Sequence, residues 1–346
     1  MTWMVYGANG YTGKLVSRLA VARGERPILA GRSPEVRELA AELGLEHRIF
    51  TLGAAADNLD GVDAVAHCAG PFSATSKPMV DACLATGTHY LDVTGEIDVF
   101  EAIFARSDEA AAAGVVLLPG SGFDVVPSDC LAASLAAALP GAVELKLAFI
   151  AGGGFSGGTL KTTVEGMATG GRVRKDGVLT TVPIGHSTLV VPFPSGKRSV
   201  LSLPWGDIST AYRSTGIPNI TNYMGVGLPA GVVSQVQQLS APLMRTPLAQ
   251  RIGKTVVGLI SGPGEKRRAG NRSEFWGEAR SEDGRTASAT LVTPSAYDIT
   301  ADAVVRIATG IGGVEPGSHT PATAFGADFV KTLDSVTAGP ITVTSG

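Results

Sequence analysis

At 346 residues the chain exceeds what one hydrophobic core serves, since single cores stop growing at roughly 250 to 300 residues, and two domains are expected. Hydrophobic residues make up 44% and charged residues 17%, with 28 Lys and Arg against 31 Asp and Glu, which excludes a disordered chain or a polyelectrolyte. The longest basic run, Lys266-Arg267-Arg268, is too short for a groove that follows phosphates, so no nucleic acid partner is expected and the run reads as a solvated loop.

The N-terminus runs from Met1 straight into Tyr6 and Gly7 and reads as a first strand, not as a secretory leader. From residue 2 to residue 118, short apolar runs alternate with longer amphipathic segments, the pattern of βαβ units that build a parallel sheet. Strands are predicted at 2–6, 27–31, 47–51, 63–67, 88–92 and 115–118, with helices at 12–23, 34–43, 74–86 and 97–112. Ser33 is expected to cap the second helix, with Pro34 at its first position. After Phe123 the texture changes to Gly-rich turns and β-type runs at 143–150, 187–191 and 199–203. Residues 274–280 and 286–293 flank Asp283-Gly284 and predict an antiparallel hairpin. Helical patterns at 159–169, 229–239, 245–259 and 298–310 would cover one face of a mixed, largely antiparallel sheet, and 261–272 reads as a loop. A last helical stretch at 321–333 is expected to pack back on the first domain. The fold class is therefore α/β, a parallel sheet followed by an α+β domain, with divisions at 1–123, 124–316 and 317–346. No apolar stretch approaches the roughly 18 residues that span a bilayer. Three scattered cysteines in apolar surroundings, Cys68, Cys83 and Cys130, suit reduced thiols and a cytoplasmic location.

Directly after the first strand comes Gly7-Ala8-Asn9-Gly10-Tyr11-Thr12-Gly13, glycines at three-residue spacing that lead into a helix. Such a loop lets the backbone approach a pyrophosphate, whose charge sits at the positive end of the helix dipole. A lone glycine triplet is more often only a tight turn, but here it opens a series of βα units, and a dinucleotide is expected. A free ribose 2′-hydroxyl is usually met by Asp or Glu about 20 residues further on, whereas this second strand ends in Gly31-Arg32-Ser33. A hydrogen bond to a charged group is worth about 1.5 to 3 kcal/mol, so Arg32 alone could shift the choice by roughly 10- to 150-fold and favours NADP(H); its plainer alternative is a solvated side chain. Ligands of open α/β sheets lie across the carboxyl ends of strands, which adds Cys68, Ala69, Gly70, Pro71 and Phe72, then Thr94 and Gly95. Asp92 and Glu96 share that edge, with capping of the following helix as the alternative role.

Several motifs together are similar to the saccharopine dehydrogenase-like reductases, in particular the branch of trans-acting enoyl reductases. They are the 7–13 loop, Ala-Gly-Arg at 30–32, Ala-Gly-Pro-Phe at 69–72 and Gly-Thr-His-Tyr-Leu-Asp-Val-Thr-Gly-Glu at 87–96. Further along come Gly-Ser-Gly-Phe-Asp-Val-Val-Pro-Ser-Asp at 120–129, Phe-Ser-Gly-Gly-Thr at 155–159 and Thr-Pro-Ala-Thr-Ala-Phe-Gly at 320–326. The resemblance implies an N-terminal Rossmann domain that binds NADP(H), an inserted α+β domain, a returning C-terminal segment and catalysis in the cleft between domains. It also implies that residues 122–127 link the domains and face the nicotinamide, with Phe123 among the cofactor contacts. Members that handle amino acids carry a Gly-Phe-Asp-Pro-Gly type of turn; here Asp124 is followed by Val125 and Val126, which argues against amino-acid condensation.

Hydride transfer needs a proton donor beside a polarised double bond in a site that excludes water. Candidates are Asp124, Lys161, Glu165 and Tyr212. Lys161 and Glu165 also have the i, i+4 spacing of an ordinary surface ion pair, and Tyr212 also fits a core ring with its hydroxyl satisfied. No Tyr has a Lys four residues on, which sets aside the short-chain dehydrogenase arrangement. His67 and His89 lie on apolar strands as core residues and no metal is expected. Arg172, Arg174 and Lys175 read as solvated charge, with contact to an anionic substrate as the alternative. The resulting expectation is an NADPH-dependent reductase of an activated C=C bond in an apolar small-molecule or carrier-linked substrate, with C=N reduction as the alternative. A non-catalytic NADP(H) sensor, with peripheral membrane contact or a protein partner through residues 232–248, is the reading from another class. A homo-oligomer is compatible with either.

Overall fold

The computed structural model describes residues 1–152, 170–225 and 270–346. It divides into two compact units, 1–126 with 297–329, and 127–296 with 330–346. The observed division thus differs from the expected one: the return to the first unit begins at Tyr297, and the last residues join the second unit. Lys161, Glu165, the 232–248 segment, the Lys266-Arg267-Arg268 run and the helical patterns at 159–169, 229–239 and 245–259 lie outside the described residues.

The first unit is built on a seven-stranded parallel sheet of β1 (Trp3–Tyr6), β2 (Ile28–Gly31), β3 (His47–Ile49), β4 (Ala64–His67), β5 (His89–Asp92), β6 (Val116–Leu118) and β15 (Gly317–Ser318). Their order in the sheet is β15-β6-β5-β4-β1-β2-β3, the doubly wound Rossmann arrangement, whose crossover reverses between β1 and β4. β1, β2, β4 and β6 are buried along their whole length, as a sheet covered on both faces requires. Connections run through α1 (Tyr11–Ala22), α2 (Glu35–Leu43), α3 (Phe72–Thr86), α4 (Ile97–Phe104) and α5 (Ser107–Ala113). The single helix expected over 97–112 is broken because Arg106 leaves helical geometry (φ −98°, ψ 17°) while its guanidinium binds Asp81 and Glu109. Ser33 does not cap α2 as expected: Pro34 holds the cap position, and the Ser33 hydroxyl donates to the Glu35 carboxylate.

The second unit starts with α6 (Val126–Ala138), which the sequence did not suggest, and carries a ten-stranded mixed sheet. The sheet comprises β7 (Ala142–Ile150), β8 (Gly171–Lys175), β9 (Val178–Val182), β10 (Thr188–Phe193), β11 (Gly196–Ser202), β12 (Asn219–Gly225), β13 (Ser273–Ser281), β14 (Thr286–Thr293), β16 (Thr337–Ala338) and β17 (Thr342–Thr344). Among the described residues of this sheet only β12 and β7 run parallel; the remaining pairs, the expected β13–β14 hairpin among them, are antiparallel. Ala148, Val191, Phe193, Val200, Tyr223 and Trp276 form an apolar cluster on it. α7 (Asp207–Thr215) was also not foreseen; α8 (Ala296–Gly310) matches the 298–310 pattern, and the 321–333 stretch is interrupted at Gly326 after α9 (Pro321–Phe325). Among the described residues no helix is long and apolar enough to cross a membrane, and no group of three metal-ligating side chains forms.

Candidate active site

At the carboxyl edge of the parallel sheet, the chain turns sharply after β1. The amides of Gly7 and Ala8 donate to Ala30 O at 2.8 and 3.1 Å, tying the glycine loop to the end of β2. A side chain at Gly13 would place its Cβ 2.2 Å from Gly7 O, so α1 packs directly on the loop that feeds it. Gly7 itself has φ 84° and lies against the β4 loop, where an added Cβ would meet Ala69 Cβ at 2.9 Å. These spaces admit only hydrogen at both positions, which is what a backbone cradle needs to approach a diphosphate.

The helix ends at this edge are not equivalent. α3 begins where Phe72 N and Ser73 N donate to the two oxygens of Glu96 at 2.8 and 2.9 Å, so a carboxylate already holds its positive end. Glu96 therefore caps α3, which precedes it in sequence, and not the following α4 as the sequence suggests. α2 carries Glu35 in its first turn and α4 carries Asp98. Of these four helices, α1 is the one with neither a side-chain cap nor an acidic residue in its first turn, and the residues there fit a bound diphosphate.

Beyond β2, Arg32 is exposed, and its charge partly offsets the rise that burial imposes on the Tyr6 phenol. Across the switch point, Cys68 is half-buried and its thiol is pushed up to about 12, chiefly by burial and further by Asp92, so it stays protonated. Gly70 and Pro71 are joined by a cis peptide bond, and Phe72 is buried under the edge. His67 is fully buried; loss of hydration holds it near 3 and hence neutral. Its Nε2 lies 3.1 Å from Thr75 Oγ1, which is also 3.0 Å from Pro71 O, and Nδ1 has no hydrogen-bond partner. The expected satisfied core histidine is thus satisfied at one nitrogen only.

Asp92, at the end of β5, ties neighbouring loops together. One oxygen accepts from Thr94 N at 3.0 Å and Gly120 N at 2.9 Å, and the other from the Tyr90 hydroxyl at 2.7 Å. Burial raises its carboxyl to about 6 against the pull of these donors, and its role is to fix the β5 and β6 loops, not to cap a helix. The β6 loop then delivers Asp124 onto Gly95, at whose Cβ position the Asp124 Oδ2 atom would stand only 2.7 Å away. Phe123 N donates to Thr300 Oγ1 of α8 at 2.9 Å, so the returning segment pins the turn that carries Asp124. α8 also sets the Tyr297 ring edge-on against Tyr11, at 4.8 Å between centroids. Nothing in spacing pointed to Thr300 or Tyr297, because their partners lie more than 170 residues away. Loss of hydration raises the Asp124 carboxyl to about 7. The structure therefore gathers Thr94, Gly95, Phe123 and Asp124 at the same edge as the glycine loop.

Tyr212 lies on α7 in the second unit, its ring 4.2 Å from the Arg174 guanidinium carbon. Arg174 is not solvated as expected. It is 6% exposed, and donates to Ile208 O and Gly177 O, because β8 turns it inward beneath α7.

Comparison with known proteins bears on this arrangement. The family model described as saccharopine dehydrogenase NADP binding domain matches residues 3–118. A Mycobacterium tuberculosis protein named as a candidate trans-acting enoyl reductase is 37% identical over 184 residues, 48% of this chain and 44% of its own. A saccharopine dehydrogenase-like oxidoreductase of Bos taurus is 31% identical over 150 residues, 36% of this chain and 35% of its own. The matched stretches thus span less than half the length of these relatives. Apo saccharopine dehydrogenase (L-Glu forming) from Saccharomyces cerevisiae superposes with a TM-score of 0.64 at 13% identity, over 99% of this chain and 100% of that one, a likeness of fold.

Proposed function

We propose that this chain, whose residues 3–118 match the model of the saccharopine dehydrogenase NADP binding domain, is an NADPH-dependent reductase of an activated C=C bond and that Asp124 is its proton donor. The observation that carries the reading is the placement of the Asp124 carboxyl against Gly95, at the same carboxyl edge of the sheet as the glycine loop, where burial raises it to about 7. Bound NADPH supplies a hydride. The 7–13 loop and the α1 N-terminus would hold its diphosphate, and Arg32 would hold its 2′-phosphate. Asp92 and Thr300 hold the β5 and β6 loops so that Asp124 keeps one place against Gly95. Asp124 would protonate the α-carbon of an enoyl thioester whose β-carbon takes the hydride: its O–H bond would break as the C–H bond forms, and the carboxylate would regain a proton from solvent. The 37% identical relative named for enoyl reduction supports C=C over C=N, as does the Val125-Val126 sequence in place of the Pro-Gly of amino-acid-handling members. An apolar substrate, free or carrier-linked, follows from the same reading.

The test is NADPH oxidation, followed by absorbance, with a panel of enoyl thioesters and imines. Consumption of enoyl thioesters, reduced about 100-fold or more in Asp124→Asn, is the expected result. Oxidation with imines alone would reassign the bond reduced. Binding of NADPH without oxidation by any member would replace the enzyme with a dinucleotide sensor.

A further inference from the structure

We propose that Glu35 is a second determinant of dinucleotide choice, one that opposes Arg32; the inference rests on the reading of the 7–13 loop as the dinucleotide site. Glu35 opens α2, and its Oε2 receives two donors, Ser33 Oγ at 2.8 Å and Asn9 Nδ2 at 3.0 Å. Asn9 belongs to the glycine loop and passes over Gly31, so that a Cβ on Gly31 would meet Asn9 Oδ1 at 3.3 Å. The carboxylate is therefore fastened to both loops that flank the end of β2. Arg32, exposed at the same strand end, forms no ion pair among the described residues.

Groups at this strand end able to hold a 2′-phosphate include the Arg32 guanidinium, the Asn9 amide and the Ser33 hydroxyl. Glu35 already engages the two neutral donors. A 2′-phosphate that sought them would meet a like charge at hydrogen-bonding range of the same atoms, where repulsion between charges is least screened. A ribose with a free 2′-hydroxyl can instead donate to the carboxylate, the interaction by which an acidic residue near the second strand selects NAD(H). Arg32 draws the choice towards NADP(H) and Glu35 draws it back, so the chain binds both dinucleotides, with a preference narrower than Arg32 alone would give.

Calorimetric titration of the full chain with NADPH and with NADH tests this without reference to turnover. In Glu35→Gln the ratio of NADPH to NADH affinity rises about tenfold, and Glu35→Ala, which also frees Asn9 and Ser33, moves it at least as far in the same direction. Arg32→Ala moves it the opposite way. Glu35 is exposed, so both of its variants retain the fold, and a circular dichroism melt verifies that. If both nucleotides bind and the ratio stays within about twofold of the starting chain in both Glu35 variants, the role of Glu35 is refuted while the site stands. If the starting chain takes up neither nucleotide, the site reading fails and this inference fails with it.

Discussion

A carboxyl raised by burial holds its proton more tightly in the folded chain than in the unfolded one, and Asp124, at about 7 against an ordinary value of 3.8, is such a group. Between those two values the folded state carries more protons, so the contribution to stability is fully present below about pH 4 and is lost as pH rises towards 7. The shift corresponds to at most about 4 kcal/mol, and partial hydration of the half-buried side chain reduces the figure. Asp124→Asn, which cannot ionise, is expected to lose about 1 to 3 kcal/mol less stability than the starting chain between pH 5 and pH 8, as denaturant titrations at the two pH values will measure. Equal losses would place the carboxyl in water. Asp92, raised to about 6, shifts stability in the same sense in both proteins and does not affect the comparison. In turnover, the same protonation predicts a rate that declines above about pH 7, with that limb missing in Asp124→Asn. Asp124 could be named from its motif, but its environment could not, since Gly95 is 29 positions before it and only the fold brings the two together.

Helix ends were the least legible elements of the sequence. The strands of the first sheet are apparent from short apolar runs between glycines, because a strand buried on both faces tolerates little else. A cap depends on a single hydrogen bond that can come from any neighbouring loop. Ser33 has the composition of a cap and does not act as one, while α3 receives its carboxylate from Glu96, 24 residues beyond its first position. Glu96→Gln keeps the size of the side chain and removes its charge from the positive end of α3. A loss of about 1 kcal/mol is expected, seen as a lower denaturant midpoint with an unchanged slope. α1 presents the converse case. Gly13→Ala sets a methyl 2.2 Å from Gly7 O, a backbone atom that cannot rotate away. The loop must shift, and NADPH affinity is expected to drop at least about tenfold by calorimetry, with a smaller effect on stability.

For the whole molecule, the informative feature is the return of residues 297–329 to the first unit. The sequence indicated that some C-terminal segment comes back, but it set the start at 317, because the amphipathic pattern at 298–310 fits a covering helix in either domain. Long-range pairing decides the matter. Asp302 on α8 is 4% exposed and binds Arg23, just past α1, and Arg306 one turn on, each at 2.6 Å. A carboxylate buried between two guanidiniums contributes little as a pair relative to an apolar substitute, yet removing it takes the buried anion away from two partly buried cations. Asp302→Ala is therefore expected to cost about 2 to 4 kcal/mol. The two units offer a way to see where that loss falls. NADP+ at a hundred times its dissociation constant stabilises whichever unit holds it by about 2.7 kcal/mol, so the nucleotide marks the unfolding transition of the first unit. Asp302→Ala is expected to lower that transition and leave the other in place. Loss confined to the transition that the nucleotide does not move would assign α8 to the second unit, as the sequence pattern by itself suggested.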